Sequence, residues 1–159
     1  MRIVLVFSIV SVGLLSAGAG SWRNAPIEDQ DPSRLRYTRI YCTPDTETHF
    51  EDVAAELAQA SASPPGARFY AGGARPMSSA LFVGANAYWG TDDLRNRLNR
   101  PAPAAQFVVV LAGVWLVTTT DGETRRFSPG DVAWVEDTSP CKGHITVVGD
   151  KPGLLMIAR

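Results

Sequence analysis

The sequence has few histidines and few cysteines, and each scarcity limits the chemistry open to it. Of 159 residues only two are histidines, His49 and His144, so three histidines of one chain cannot form a metal site. Only two cysteines occur, Cys42 and Cys141, which excludes a disulfide-rich scaffold. The formal net charge of -1 gives no basic excess that would favour nucleic acid or an anionic membrane surface. We therefore expect neither as a partner.

The sequence also lacks an apolar run of the roughly 20 residues that a bilayer-spanning helix needs. Its N-terminal run, residues 3–15, is interrupted by small polar residues and follows Arg2. Ala17-Gly18-Ala19 then fits the small-x-small rule for cleavage before Gly20. The pattern predicts a secretory signal peptide, with an uncleaved anchor as the alternative. We expect a signal peptide at 1–19, an N-terminal arm at 20–34, one domain at 35–159, and a secreted or periplasmic location.

The C-terminal third is organised as strand-like segments separated by turns. Asp121-Gly122 joins two β-branched, aromatic or basic segments and is a strong hairpin signal, because the tight turn needs positive φ. Pro129-Gly130-Asp131 predicts a further turn. The predicted strands are residues 106–111, 114–119, 125–127, 132–135 and 144–148. Short strands with turns at this spacing predict a barrel or sandwich.

The first half of the domain gives a less uniform pattern. Residues 35–42, 67–71 and 80–85 are predicted strands. Thr48-His49-Phe50-Glu51 fits a capping box followed by good helix formers, which favours a short helix after Phe50 over an extended segment. A capped helical turn is predicted at 91–95, where acidic residues precede basic ones. The fold class we expect is all-β with one or two short helices.

Several of these features together resemble a small single-domain cupin. The shared features are Gly113, the Asp121-Gly122 hairpin, the run Phe127-Ser128-Pro129-Gly130-Asp131-Val132, and Gly143-His144 about a dozen residues later. The resemblance covers residues 102–159 firmly and 37–50 loosely. It implies a jelly-roll barrel, but not one function, because such a fold hosts many chemistries.

The resemblance also implies where metal ligands would lie. A metal-binding cupin places a His-x-His pair, a Glu and a later His inside the barrel. At these positions the chain has Arg100, Ala102, Gln106 and His144. Because an Arg cation repels a divalent ion and Gln is a weak ligand, we expect no metal or other cofactor. The remaining metal hypothesis uses His144, His49 and a carboxylate such as Glu136 or Asp137.

Because most of the family's metal-ligand positions hold other residues in this chain, we favour a metal-independent enzyme over an oxidoreductase. We expect a small-molecule ligand in the barrel and an isomerisation or cyclisation, with His144 as acid/base and Gln106 as a hydrogen-bonding group. A non-catalytic ligand-binding or structural module is the alternative, and a homodimer is compatible with the pattern. The predicted ligand-binding residues are Arg100, Tyr41, His49, Trp115 and Trp134. Four of these five also have a structural reading: the two tryptophans as core, His49 as a surface residue, and Arg100 as a solvated charge.

The two cysteines leave two arrangements open. An exported protein folds where disulfides persist, which favours a Cys42–Cys141 bridge over two free thiols. The alternative places Cys141 as a reactive thiol near His144.

Overall fold

The computed structural model describes residues 31–60, 68, 70–72, 75–91 and 98–159, and this part of the chain is all-β, without a helix. Its strands, in chain order, are β1 (Arg34–Cys42), β2 (Thr48–Glu56), β3 (Ala58–Gln59), β4 (Tyr70–Ala71), β5 (Ala80–Ala85), β6 (Gln106–Ala112), β7 (Trp115–Thr118), β8 (Thr124–Phe127), β9 (Val132–Val135), β10 (Ile145–Val148) and β11 (Gly153–Ala158).

Two facing sheets give the domain a jelly-roll-like architecture. The larger has six strands in the order β2-β1-β9-β6-β11-β5, and the smaller has three in the order β10-β7-β8. The short strands β3 and β4 pair separately. All pairs in the large sheet are antiparallel except β1 with β9, which run parallel. The expected all-β jelly roll is confirmed.

The core lies between the inner faces of these sheets. Because side chains alternate across a strand, β6 points Gln106, Val108 and Val110 inward. Ile40 of β1 and Val148 of β10 are each 1% exposed, and both belong to the core cluster.

The Pro-Gly-Asp turn is closed by Asp131, whose carboxylate accepts the Ser128 N–H at 2.7 Å. Burial raises the pKa of Asp131.

The predicted helix after Phe50 is wrong. Residues Thr48–Glu56 form β2, and all nine pair with Arg34–Cys42 of β1. The sequence places strong helix formers here, but the β1 backbone supplies partners for the whole segment, and tertiary pairing overrides a weak local preference. The predicted helical turn at 91–95 lies, apart from Thr91, outside the described residues, as do the signal peptide and most of the arm.

Strand β11, which contributes to the site, was not among the strands predicted from the sequence. Strand β11 pairs with both β5 and β6 and places Leu155 and Ile157 on the inner face. The apolar run Leu154-Leu155-Met156-Ile157-Ala158 after Pro152-Gly153 was the available signal.

Candidate functional site

An apolar cavity of about 150 Å³ lies between the two sheets. Aliphatic side chains of β1, β6, β9 and β11 form one wall. The small sheet contributes Trp115, Val117 and Phe127 to the other. We call this space the inner cavity. Its polar lining residues are Gln106, His144 and Thr146.

The same three polar residues also line a second space, which we call the outer cleft. This cleft has a volume of about 280 Å³, and its other lining residues are Trp89, Leu98, Arg100, Pro101, Ala102 and Pro103. Because Gln106, His144 and Thr146 line both spaces, they form the boundary between the apolar interior and a more open surface. A ligand bound here would meet the polar groups at one end and the apolar walls at the other.

His144 and Asp137 form a hydrogen-bonded pair at this boundary. The imidazole Nδ1 lies 2.7 Å from Asp137 Oδ2. The Asp137 side chain is fully buried, whereas that of His144 is 17% exposed. An ionised carboxylate only accepts hydrogen bonds, so when Asp137 is ionised and the imidazole is neutral, this contact assigns the proton to Nδ1 and leaves the Nε2 lone pair for a ligand. No described residue forms a hydrogen bond with His144 Nε2.

The loop of residues 137–143, which begins with Asp137 and leads directly into His144, is attached to the barrel at several points. Cys141 at its end forms a disulfide with Cys42 of β1. Thr48, fully buried on β2, donates its hydroxyl to the Gly143 carbonyl at 2.7 Å. The backbones of Arg100 and His144 exchange hydrogen bonds of 3.0 and 3.1 Å. These contacts hold the imidazole in place although it precedes β10 and lies outside a regular strand.

Gln106, the first residue of β6, is 8% exposed. Its backbone is paired with Val135 of β9, so the strand register points its side chain inward. The amide oxygen Oε1 is buried and has no hydrogen-bond partner among the described residues, and the same is true of Asp137 Oδ1. Gln106 and His144 both line the inner cavity, as the cupin resemblance implied.

Of the two tryptophans predicted to bind a ligand, Trp115 faces the interior and Trp134 faces away from it. Trp115 lines the inner cavity and is stacked on Gly153, where an added Cβ would come within 2.6 Å of its ring. Trp134 lies between two inward-facing residues of β9 and therefore points outward. There Phe107 packs at 4.6 Å between ring centroids, and the Arg75 guanidinium lies 4.2 Å above the Trp134 ring. Trp134 therefore does not contribute to the wall of the inner cavity.

Tyr41 and His49 also lie away from the inner cavity. They face each other across β1 and β2, with ring centroids 5.8 Å apart. His49 Nδ1 contacts Asp121 Oδ2 at 2.8 Å, which links this strand pair to the β7–β8 turn. Burial would raise the pKa of Asp121, but hydrogen bonds from the Thr119 hydroxyl, the Glu123 backbone and His49 together lower it. Arg100, in contrast, lines the outer cleft beside His144.

The donor set at the boundary does not fit a tightly held divalent metal. It supplies one imidazole, one amide and one hydroxyl, whereas a tight site needs three or four strong ligands. His49 is directed to Asp121 and not to His144. Among the described residues no three His, Cys, Asp or Glu side chains are grouped to hold a metal ion.

His144 and Gln106 were predicted from the sequence, whereas Thr146, Trp89 and Leu98 were not. No local signal marks these three residues, because only the packing of β10 and the preceding segments brings them together. In the described part of the chain, no helix is long and apolar enough to cross a membrane. No protein-family model matches the chain, and no curated protein is significantly similar to it in sequence.

Proposed function

We propose that this protein is a cupin-like enzyme that isomerises or cyclises a small organic molecule bound in the inner cavity, without a metal. His144 transfers the proton and Gln106 orients the substrate by a hydrogen bond. The observation that carries this proposal is the His144–Asp137 pair at the cavity boundary, with Nδ1 held at 2.7 Å and Nε2 available to a ligand.

The chemistry follows from the protonation pattern of this pair. With the proton on Nδ1, the Nε2 lone pair takes a proton from one atom of the substrate. Buried Asp137 stabilises the imidazolium that forms and keeps the ring in its orientation. The same proton then returns to a different atom of the substrate. Such a reaction is balanced without an oxidant, a reductant or a second substrate.

A non-catalytic binding module is the second candidate, and one observation favours it. His144 is the only titratable side chain among the described residues that line the inner cavity. A reaction that needs a separate acid and base would lack one of the two groups. In that case the cavity would hold a ligand and His144 would act only as a hydrogen-bonding group.

A proton-abstraction assay separates the two candidates. The probe is a nitrobenzisoxazole, from which a base removes a ring C–H proton as the N–O bond breaks, giving a coloured cyanonitrophenolate. We expect His144→Ala to lower kcat/KM for this probe by about 100-fold or more, because a positioned base typically contributes that much. Asp137→Asn should also lower it, because an amide donor would move the imidazole proton to Nε2.

The chain offers a matched control for this assay. His49 is the other histidine, and the structure places it outside the inner cavity, so His49→Ala should retain the wild-type rate. A wild-type rate no faster than free imidazole, or an equal rate in His144→Ala, would contradict catalysis and support the binding module.

Export from the cytoplasm is part of this proposal. The Cys42–Cys141 disulfide supports it, because such bonds persist in oxidising compartments. The N-terminal pattern supports cleavage before Gly20. We expect N-terminal sequencing of the exported protein to begin at Gly20. Exported protein that still begins at Met1 would contradict the cleavage.

A further inference from the structure

We infer that the inner cavity binds a neutral ligand whose buried part is a single six-membered ring carrying one hydroxyl or N–H donor, such as a phenol or a cyclic alcohol. The donor would be accepted by Gln106 Oε1. This inference rests on the proposed function, because it names the class of molecule that the same site would hold.

The need for a donor follows from Gln106. The residue is 8% exposed and lines the inner cavity, and its Oε1 is buried without a partner among the described residues. A buried polar atom without a partner is destabilising, so such an atom in a folded protein calls for a partner such as an ordered water or a ligand. An amide oxygen only accepts hydrogen bonds. A ligand with an O–H or N–H group would satisfy it, whereas an ether would not.

The size of the ligand follows from the volume of the cavity. An apolar cavity of about 150 Å³ engineered into another protein binds benzene. The inner cavity has the same volume, about 150 Å³, and its walls are aliphatic and aromatic. It therefore accommodates one ring, and a larger ligand would have to extend past His144 into the outer cleft.

The ligand's neutrality follows from the charges that the inner cavity lacks. None of its described lining residues is Asp, Glu, Lys or Arg. A carboxylate or ammonium group placed beside Gln106 would lose its hydration, and His144, the one titratable group among the described lining residues, already faces the Asp137 carboxylate. Arg100 lines the outer cleft but not the inner cavity. The buried end of the ligand is therefore uncharged.

The test compares small aromatic probes by NMR titration of the disulfide-bonded wild-type protein. Phenol carries the donor, toluene has neither donor nor acceptor, anisole has an acceptor only, and benzoate is charged. We expect phenol to bind about tenfold more tightly than toluene or anisole, which is the effect of one added hydrogen bond. Gln106→Leu should remove this preference and leave toluene binding intact.

The outcomes separate this inference from the proposed function. Anisole or benzoate binding as tightly as phenol, or no binding of any probe, would overturn the ligand class. The comparison of phenol with anisole uses wild-type protein only, so it stands even if Gln106→Leu fails to fold. Phenol preference without His144-dependent proton abstraction would leave the ligand class standing and remove the catalysis. Proton abstraction that depends on His144, without a preference for phenol, would support the catalysis and overturn the ligand class.

Discussion

Replacing Cys42 and Cys141 together with alanine is expected to lower the free energy of unfolding by about 4–5 kcal/mol. The bridge joins residues 99 positions apart, so it removes a large loop-closure entropy from the unfolded chain. Its Cα–Cα distance of 6.0 Å lies within the range usual for disulfides. The measurement is urea denaturation at equilibrium, comparing the double variant with the oxidised wild-type protein.

Reduction supplies the control for this prediction. Dithiothreitol should lower the stability of the wild-type protein by a similar amount and leave the double variant unchanged. This comparison separates the loss of the cross-link from the loss of the sulfur atoms, because Cys141 is buried and its truncation has a packing cost of its own. A wild-type protein whose denaturation midpoint does not respond to the reductant would contradict the prediction.

Gly143→Ala is expected to destabilise the protein by about 3 kcal/mol or more and to displace His144. Gly143 has a φ of 84°, and an added Cβ would lie 1.9 Å from the Arg100 carbonyl carbon and 2.1 Å from the Pro101 nitrogen. Both contacts are with backbone atoms, so the segments must separate. That movement would break the backbone pairing of Arg100 with His144.

Gly122→Ala is the matched control, because it shares the backbone conformation but not the collision. Its φ is 89°, and no atom lies within 4 Å of an added Cβ. We expect this variant to lose only about 1–2 kcal/mol, the cost of a left-handed conformation for a non-glycine residue. It should retain the wild-type rate with the benzisoxazole probe, whereas Gly143→Ala should lose most of it. Equal destabilisation in the two variants would show that the close approach at Gly143 does not matter.

The strands after residue 105 were largely predictable because local chemistry defines them. Gly122 and Gly130 both have positive φ, as their turns require, and residues 132–135 form β9 as expected. The inward direction of Gln106 followed from the cupin resemblance, and the register of β6 with β9 produces it. The extended conformation of β2 was not predictable in this way, because its partner strand is needed to outweigh a helical preference.

The direction in which the aromatic side chains point could not be predicted from the sequence either. All four residues of β9 are apolar, so their pattern does not show which of them face the interior. Trp134 is covered from outside by Phe107 and by Arg75, which is remote in the chain. Such contacts depend on how strands pair, so the sequence of a single strand does not predict them.

The sequence by itself determined the all-β class, the two turns, the scarcity of metal ligands and the only two cysteines that could pair. These properties are local or compositional, so they can be read without the fold. Only the tertiary structure decided that Asp137 is fully buried behind His144 and that Gln106 Oε1 lacks a partner. Burial and hydrogen bonding depend on segments that are distant in the chain, here β1, β2 and the 137–143 loop, and only their packing brings these groups together.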